Sequence, residues 1–282
     1  MNVLILDGYN LIYRAKYSFF GKKRDKENLE DRSVVYSFTR AIRSQLDLHK
    51  PDCVYFVLEG KPARRLNLSE DYKANRVYEP DPGFSLQRRL IIDLVQSWPG
   101  FNVIKHPEHE CDDVANALAV HHEEKGDTVV IVSSDTDFYQ SLSESISVFN
   151  PVRKRFVESP VEPSDYVAWK SLRGDNSDNI KGFVGIGNVR AKKLVSDSKL
   201  LEAFLSKDDN RERFNHNVEM IAFEAVDLFS CETVSTLCDA STLGRFRGTL
   251  HDLGFFSITS DKAWRKFSEP ISNTRYQNAK SK

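Results

Sequence analysis

Near the start of the chain lies the sequence Val3-Leu4-Ile5-Leu6-Asp7-Gly8, in which four apolar residues are followed directly by a carboxylate and a glycine. Three later runs have a similar apolar character, at Cys53–Leu58, Phe101–Ile104 and Thr128–Val132. Segments with helical periodicity separate these runs, which is the pattern of parallel strands joined by crossover helices. The first part of the chain is therefore predicted to be an α/β unit, with a mostly parallel sheet flanked by helices.

The composition is that of a folded globular protein and excludes several other classes. The 282 residues carry 40 Lys+Arg against 41 Asp+Glu, so the formal net charge of −1 argues against a histone-like nucleic-acid binder. No apolar run approaches the roughly 20 residues of a membrane-spanning helix. The four cysteines form no C-x-x-C pair, which argues against a zinc site and a disulfide framework. We expect a cytoplasmic monomer with no membrane partner.

The character of the sequence changes after residue 150. Ser159-Pro160-Val161-Glu162-Pro163-Ser164 is typical of a linker, and the segments after it have the periodicity of short helices. We predict an α/β domain over 1–160, an all-helical domain over 161–260 and a polar tail over 261–282. Helices in the second domain are expected at 164–173, 188–196, 199–206, 212–229 and 242–253.

Carboxylates follow each predicted strand, at its end or a short loop later. Because the carboxyl ends of parallel strands share one edge of a sheet, we expect these acids to converge in space. One acid at the start of a helix is ordinarily explained by the helix dipole, but a set drawn from four strands is not. The converging acids are Asp7, Glu59, Glu110, Asp112, Asp113, Asp135 and Asp137.

Such a group of acids predicts metal ions. Two carboxylates 4 Å apart repel by roughly 4 kcal/mol at an effective dielectric of about 20, so many of them stay ionised together only around cations. Oxygen ligands favour Mg²⁺, with Mn²⁺ as a substitute, over zinc. Two such ions about 4 Å apart are the standard arrangement for attack of water on a phosphodiester. The first domain therefore predicts phosphoryl chemistry.

A second pattern lies in the helical part. Gly174-Asp175-Asn176-Ser177-Asp178-Asn179 precedes Gly185-Ile186-Gly187, and a helix is predicted from Asn188. Asp175 and Asp178 are three residues apart, so they are expected on one face of a helical turn, directed at the metal site. Gly–hydrophobic–Gly before a basic helix is typical of a helix-hairpin-helix, whose amides bind a DNA backbone. The basic residues of that helix are Arg190, Lys192 and Lys193.

Residues 61–76 form a basic stretch that follows the strand ending near Glu59. Tyr72 and Tyr78 are interleaved with its cations, and aromatic rings among cations suit stacking on unpaired bases. A solvated charged helix is the alternative. The basic residues of the stretch are Lys61, Arg64, Arg65, Lys73 and Arg76.

Taken together, these motifs resemble the structure-specific 5′-nuclease family. That family includes flap endonucleases, the 5′–3′ exonuclease domain of bacterial DNA polymerase I and free-standing bacteriophage enzymes. The order and spacing match over about 1–255, and the length leaves no room for a polymerase domain, so we expect the free-standing kind. The matching motifs are Leu6-Asp7-Gly8-Tyr9-Asn10, Asp71-Tyr72-Lys73-Ala74-Asn75-Arg76, Glu110-Cys111-Asp112-Asp113, Ser134-Asp135-Thr136-Asp137-Phe138 and Gly174–Asn179.

The resemblance implies a PIN-like sheet that binds two Mg²⁺, a helical arch within 61–95 and a C-terminal helix-hairpin-helix domain. Lys73 and Arg76 match arch residues that hold and polarise the scissile phosphate beside the catalytic acids. Arg14 matches a DNA-contacting arginine, and in relatives the hairpin at Gly185–Gly187 binds a potassium ion. The implied metal ligands are Asp7, Glu110, Asp112, Asp135 and Asp137, with Asp113, Asp175 and Asp178 completing the second site.

Three positions depart from the family pattern. Glu59 stands where most relatives have Asp, which leaves open whether it contacts the metal directly or through water. Val189 stands where many relatives have lysine, so Arg190 or Lys192 is expected to take that phosphate. Lys181 replaces a common proline.

The resulting prediction is a Mg²⁺-dependent 5′-nuclease, both flap endonuclease and 5′–3′ exonuclease. Its substrate would be DNA with a 5′ flap, nick or free 5′ end, in replication, repair or primer removal. Two alternatives stay open. One is a 5′-nuclease preferring RNA in RNA–DNA hybrids, and the other is a non-catalytic binder of branched DNA.

Overall fold

The computed structural model describes residues 1–18, 28–76, 79–207 and 209–274. The strands are β1 Asn2–Asp7, β2 Cys53–Leu58, β3 Phe101–Lys105, β4 Thr128–Val132, β5 Ile146–Asn150, β6 Arg155–Phe156, β7 Gly174–Asp175, β8 Ile180–Lys181 and β9 Glu232–Ser235. The α-helices are α1 Gly8–Lys16, α2 Ser33–His49, α3 Ala63–Leu68, α4 Pro82–Gln96, α5 Cys111–Glu124, α6 Tyr166–Arg173, α7 Asn188–Val195, α8 Ser198–Leu205, α9 Asn210–Ile221, α10 Ala240–Asp252, α11 Phe256–Thr259 and α12 Asp261–Ser272. Within these ranges, no helix is both long and apolar enough to cross a lipid bilayer.

The main sheet has seven strands in the order β6-β5-β4-β1-β2-β3-β9. Its five inner strands are parallel, and β6 and β9 pair antiparallel at the two edges. The predicted mostly parallel sheet is confirmed, as are all four predicted strands. The sequence did not indicate β5 or β9. In β9, Glu-Thr-Val-Ser is largely polar because an edge strand buries little of its surface.

Both faces of the sheet are covered, as a parallel sheet requires. In β1, Val3 and Ile5 point to the face covered by α5, whereas Leu4 and Leu6 point to the opposite face. Helices α1, α2 and α4 pack on that opposite face, where Trp98 stacks on Phe101. Burial on both sides explains why these strands are continuous apolar runs rather than alternating ones.

The C-terminal part corrects the predicted domain limits. Strand β9 extends the main sheet, and α10 to α12 pack on the same core as α2 and α4, so 161–260 is not a separate all-helical domain. The range 261–282 is not a simple tail either, because α12 buries Phe267 and Ile271 in that core. Phe267, Pro270 and Ile271 are the buried residues of this helix, and its otherwise polar composition did not indicate them. Residues 275–282 lie outside the described part of the chain.

Helices α6 to α9 form a compact module with its own core, which includes Tyr166, Trp169 and Leu172. The predicted helices 164–173, 188–196, 199–206 and 242–253 correspond to α6, α7, α8 and α10. The predicted helix 212–229 is wrong at its end, since α9 stops at Ile221. There the chain turns to meet the sheet domain, and the Phe223 N–H donates to Gln140 Oε1 at 3.1 Å.

The expected helical turn at Asp175 and Asp178 is also wrong. Asp175 lies in β7, which pairs with β8, and Asp178 lies in the turn between them. Gly174 explains the change, because its φ of +78° ends α6. A Cβ at this position would lie 2.1 Å from the backbone nitrogen of Gly182, so only glycine permits this close reversal.

The packing of α12 predicts that Phe267→Ala lowers the free energy of unfolding by about 3 kcal/mol, as expected for a large-to-small substitution in a core. Phe229→Ala is the matched control, because its ring is 77% exposed, and its expected effect is under about 0.5 kcal/mol. Urea unfolding of the full chain measures both. Equal, small effects would mean that α12 does not belong to the core.

Candidate metal centre

The carboxyl ends of β1, β2 and β4 border a cavity of about 1070 Å³. Strand β1 lies between β2 and β4, so Asp7 sits centrally among the acids. The start of α5 contributes further carboxylates to the same space. Five of the nine predicted metal ligands line this cavity: Asp7, Glu59, Glu110, Asp112 and Asp135. The predicted convergence of acids from separate strands is therefore found in the structure.

Asp7 is held by its neighbours at the base of the cavity. Its carboxylate accepts hydrogen bonds from Ser133 Oγ at 2.6 Å and from the Asn10 N–H at 3.2 Å. The second bond also caps the N-terminus of α1, which fixes the carboxylate to the start of that helix. Burial raises the pKa of Asp7 to about 6 despite these bonds. The carboxylate is thus rigid and short of positive charge.

Glu59 and Asp112 are in a similar electrostatic position. Burial, reinforced by the charge of Glu110, raises the pKa of Glu59 to about 7. Burial, followed by the charges of Asp113 and Glu110, raises the pKa of Asp112 well above its usual value. Groups with raised pKa values of this kind gain most when a cation enters. A group of carboxylate oxygens that lacks nearby positive charge fits a hard divalent cation.

Glu110 is different because cations already surround it. Lys73 Nζ donates to its Oε1, and Oε2 accepts from Arg65 Nη1 at 2.7 Å and from the Tyr72 hydroxyl at 2.8 Å. Burial by itself would raise the pKa of Glu110, but Lys73 and Arg65 hold it below its usual value. Glu110 is therefore ionised in the folded protein.

A second cluster lies beside the cavity. Ligand oxygens of Asp137, Asp175 and Asp178 all lie within 4.8 Å of one another. The β7–β8 turn brings Asp175 and Asp178 to this position. The two residues therefore lie beside Asp137, although they do not share the helical turn that their spacing predicted. Arg76 Nη2 donates to Asp178 Oδ1 at 2.6 Å. Burial raises the pKa of Asp137 to about 6, although its neighbour Lys170 opposes that shift.

Lys170 is a site residue that the sequence reasoning missed. It is buried on α6, where its Nζ contacts Asp137 and lies 2.5 Å from Asp175 Oδ2. Burial disfavours its charge, but the two carboxylates raise its pKa above the ordinary value. A signal was present, because Lys170 stands four residues after Tyr166 on the buried face of α6. A lysine on an apolar helix face requires an acidic partner.

Asp113 occupies a position unlike that of the other acids. Its oxygens lie within 4.8 Å of ligand atoms of Glu110 and Asp112. Both carboxylate oxygens of Asp113 accept hydrogen bonds from Arg65, Oδ2 at 2.6 Å and Oδ1 at 2.8 Å. Oδ1 also accepts a hydrogen bond from the Glu224 N–H at 2.8 Å. Asp113 is fully buried and does not line the cavity. Its place in the second metal site stays a prediction, and its observed partner is Arg65.

The structure corrects the prediction that Tyr72 stacks on a base. The residue is 6% exposed, and its hydroxyl lies 2.8 Å from Glu110 Oε2 and 3.4 Å from Asp178 Oδ2. Its ring packs with Ile180 and Met220, so neither face is open to a nucleotide. The periodicity of a basic stretch does not reveal which of its members turn inward. Tyr78 lies outside the described residues.

The predicted DNA contacts in the first domain lie around the cavity. Arg14, Lys73 and Arg76 line it, and Arg14 Nη2 donates to the Pro151 carbonyl at 2.8 Å. Along α1 the cavity continues past Tyr9 and Tyr13. Within the predicted arch region 61–95, α4 packs on the sheet core, whereas Lys73 and Arg76 contact the acids.

The predicted hairpin forms an exposed loop before α7. Gly187 is the N-cap of α7, and Gly185 adopts a φ of +74°, which favours glycine. Between them, Ile186 is buried and anchors the loop to the module core. Arg190 and Lys193 are exposed, whereas Lys192 Nζ donates to the Pro160 carbonyl at 2.8 Å. The loop thus offers a helix N-terminus and two unobstructed cations on one surface, and the potassium site stays a prediction.

Residues 2–167 match the family described as 5′-3′ exonuclease, N-terminal resolvase-like domain. The chain is 33% identical over 216 residues to thermostable DNA polymerase I of Thermus aquaticus, which covers 73% of this chain and 25% of that protein. The DNA polymerase I of Mycobacterium tuberculosis strain H37Rv is 29% identical over 219 residues, 73% of this chain and 24% of that protein. The chain thus spans about a quarter of the length of these curated relatives.

Solved structures share the fold across nearly the whole chain. The bacteriophage T5 D15 protein co-crystallised with metal ions has a TM-score of 0.65 at 19% identity, covering 96% of this chain and 98% of that one. The T5 D15 flap endonuclease in a complex with DNA and metal ions has a TM-score of 0.63 at 19% identity, covering 96% and 99%. The catalytic core of Rad2 with a DNA substrate has a TM-score of 0.58 at 13% identity, covering 98% and 92%.

The raised pKa of Glu59 predicts a pH-dependent cost to stability when no divalent ion is present. Its folded pKa exceeds the unfolded value, so its contribution is complete below about pH 4 and is lost as the pH rises through about 7. In EDTA, Glu59→Gln should therefore stabilise the protein by about 2 kcal/mol at pH 8 and by little at pH 4.5.

Thermal unfolding at several pH values measures this difference, with the exposed Glu219→Gln as control. Mg²⁺ should raise the melting temperature of the wild-type protein at pH 8, because only the folded state gathers the acids. A difference between Glu59→Gln and wild type that stays constant with pH would contradict the assignment.

Proposed function

Because the chain belongs to the 5′-3′ exonuclease family, we propose that it is a divalent-metal-dependent, structure-specific 5′-nuclease. It would cleave DNA near 5′ flaps, nicks and free 5′ ends, leaving a 5′-phosphate and a 3′-hydroxyl. The observation that carries the proposal is the cavity in which five carboxylates meet Lys73 and Arg76. Acids alone would suit many metal proteins, but acids with adjoining cations suit a phosphodiester.

The donor set fits two Mg²⁺ ions, because it consists of carboxylate oxygens whose negative charge is only partly compensated. Asp7, Glu59, Glu110, Asp112 and Asp135 would hold one ion, and Asp137, Asp175 and Asp178 the other. When bound, such ions supply an activated water and stabilise charge on the phosphate and the leaving oxygen. Glu59 adds one methylene relative to the aspartate of most relatives, so its reach into the cavity would be longer.

Lys73 and Arg76 would bind the scissile phosphate and orient it above the acids. Both line the cavity, and both already contact its carboxylates, Lys73 through Glu110 and Arg76 through Asp178. A phosphate entering between them would exchange one anionic partner for another, so neither cation would lose its charge compensation. Their fixed positions favour the transition state, in which negative charge on the phosphate oxygens increases.

The helix-hairpin-helix loop at Gly185–Gly187 would bind the DNA duplex. In the described part of the chain, no side chain caps the N-terminus of α7 at Gly187, which leaves amides there for a phosphate, and Arg190 and Lys193 extend the positive surface along α7. The contact would be to the backbone and therefore independent of sequence. A potassium ion at the same loop would strengthen it. Because α6 and α7 flank the β7–β8 turn and pack against each other, the Gly185–Gly187 loop belongs to the same module as Asp175 and Asp178 of the second acid cluster.

The decisive experiment is cleavage of a labelled 5′-flap DNA by the wild-type protein and by Asp135→Ala. The variant should lose at least about 100-fold in single-turnover rate, because it removes a metal ligand, while flap affinity in EDTA stays unchanged or increases. Asp252→Ala, at an exposed position, is the control. Matched flaps, nicks and blunt ends in DNA and RNA define the substrate. Undiminished cleavage by Asp135→Ala would contradict the assignment of Asp135 as a metal ligand.

The hairpin assignment gives a separate prediction in terms of salt. Lys193→Ala should weaken duplex binding uniformly across sequences and reduce the slope of log affinity against log salt by about 1. The cleavage rate at saturating flap should stay within about twofold of wild type, since the residue lies on α7 and not in the cavity. Lys125→Ala, at the opposite end of α5 from the acids, is the control. A full salt slope in Lys193→Ala would contradict the phosphate contact.

A further inference from the structure

Arg65 stands in the middle of the basic stretch 61–76 but is 2% exposed. The side chain of its neighbour Arg64 is 48% exposed. Removing a guanidinium from water is costly unless its donors are satisfied and its charge is balanced. Arg65 therefore cannot serve as a phosphate contact on the surface, and a different role must account for its burial.

The guanidinium of Arg65 uses all three of its nitrogens. Nη1 donates to Glu110 Oε2 at 2.7 Å and to Asp113 Oδ2 at 2.6 Å. Nη2 donates to Asp113 Oδ1 at 2.8 Å and to the Ala222 carbonyl at 3.1 Å, and Nε donates to the Met220 carbonyl at 3.1 Å. The pair with Asp113 is bidentate, so it fixes orientation as well as distance.

These bonds join three separate parts of the fold. Arg65 itself belongs to α3, Glu110 and Asp113 belong to the start of α5, and the two carbonyls belong to the end of α9. Helix α9 packs against α6 and β8, the elements that carry or adjoin the second acid cluster. One side chain therefore connects the cavity acids to the module that holds Asp175 and Asp178, two of the three carboxylates of the second cluster.

The contacts also select which oxygen of Glu110 faces the cavity. Arg65 and Tyr72 both bind Oε2, so Oε1 is the oxygen turned toward Lys73. Free rotation of the carboxylate would cost both bonds. The carboxylate therefore has a single orientation in the folded protein, set from behind by a residue that does not line the cavity.

We propose that Arg65 is a positioning residue of the metal centre, which orients Glu110 and fixes the spacing between the two acid clusters. The proposal rests on the proposed function for its metal ions but not for its geometry. It requires the fork shape of arginine and not merely its charge, because a lysine ammonium cannot form the paired bonds to Asp113. Arg65→Lys separates these two requirements.

The test uses the full chain with Arg65→Lys, and Arg247→Lys as a matched control. Arg247 also binds a carbonyl and a carboxylate, those of Thr259 and Asp261, but it lies in α10, away from the cavity. Mn²⁺ binding is measured by calorimetry without DNA, and flap cleavage is measured in parallel. Arg65→Lys should lose about tenfold or more in Mn²⁺ affinity and in kcat, with KM for the flap within about twofold.

Unchanged Mn²⁺ affinity in Arg65→Lys would overturn the proposal. So would a loss confined to flap affinity and its salt dependence, which would mark a phosphate contact. If the wild-type protein cleaves no flap, the proposed function fails, and the Mn²⁺ titration still decides the role of Arg65.

If Arg65→Lys does not fold, NMR of the wild-type protein decides the question. The Nε–H resonance of Arg65 should stay protected from solvent exchange both without metal and with Mg²⁺. Loss of that protection on adding Mg²⁺ would mean that Arg65 leaves Glu110, and the proposal would be wrong.

Discussion

Repulsion among carboxylates is the constraint on which the rest of this structure depends. The parallel sheet delivers acids from several strands to one edge, and burial there raises the pKa values of Asp7 and Glu59. The protein offsets this repulsion unevenly. Glu110, Asp178 and Asp175 each form an ion pair with a cation of the chain, whereas Asp7 and Glu59 form none within the described residues. The uneven balance leaves a place where divalent ions stabilise the fold and the chemistry together.

The same constraint explains how charge is distributed over the molecule. The net charge of −1 argues against a histone-like nucleic-acid binder, but nine of the 41 acids are predicted metal ligands. The remaining 32 acids are outnumbered by 40 Lys and Arg residues, so the rest of the chain is positive on balance. An acidic interior site and a basic exterior can coexist, because fields from buried charges are screened at the surface by water and salt. Under the proposed function, DNA would therefore be able to approach a protein whose metal centre is strongly acidic.

The fold divides the work between two structural units. The rigid sheet edge places the cavity acids, and the α6–α9 module places Asp175, Asp178 and the hairpin. Under the proposed function, the distance between the duplex contact and the reacting phosphate would determine where the strand is cut. Coupling between the two units relies on buried polar contacts, with Arg65 and Lys170 at their junction. Nothing in the amino-acid composition distinguishes these two residues from the other cations of the chain.

The sequence by itself determined the α/β class, the four inner strands β1 to β4 and the converging acids. These follow from local rules: apolar runs form buried strands, and parallel strands end at one edge. The tertiary structure alone decided which charged side chains turn inward. Arg64 and Arg65 are adjacent and chemically identical, but one lies in water and the other holds Glu110 and Asp113. The same holds for Tyr72, Lys170 and the helix α12. Burial of a polar or sparsely apolar segment depends on partners that are distant in sequence. No local pattern contains those partners, so only the folded chain reveals them.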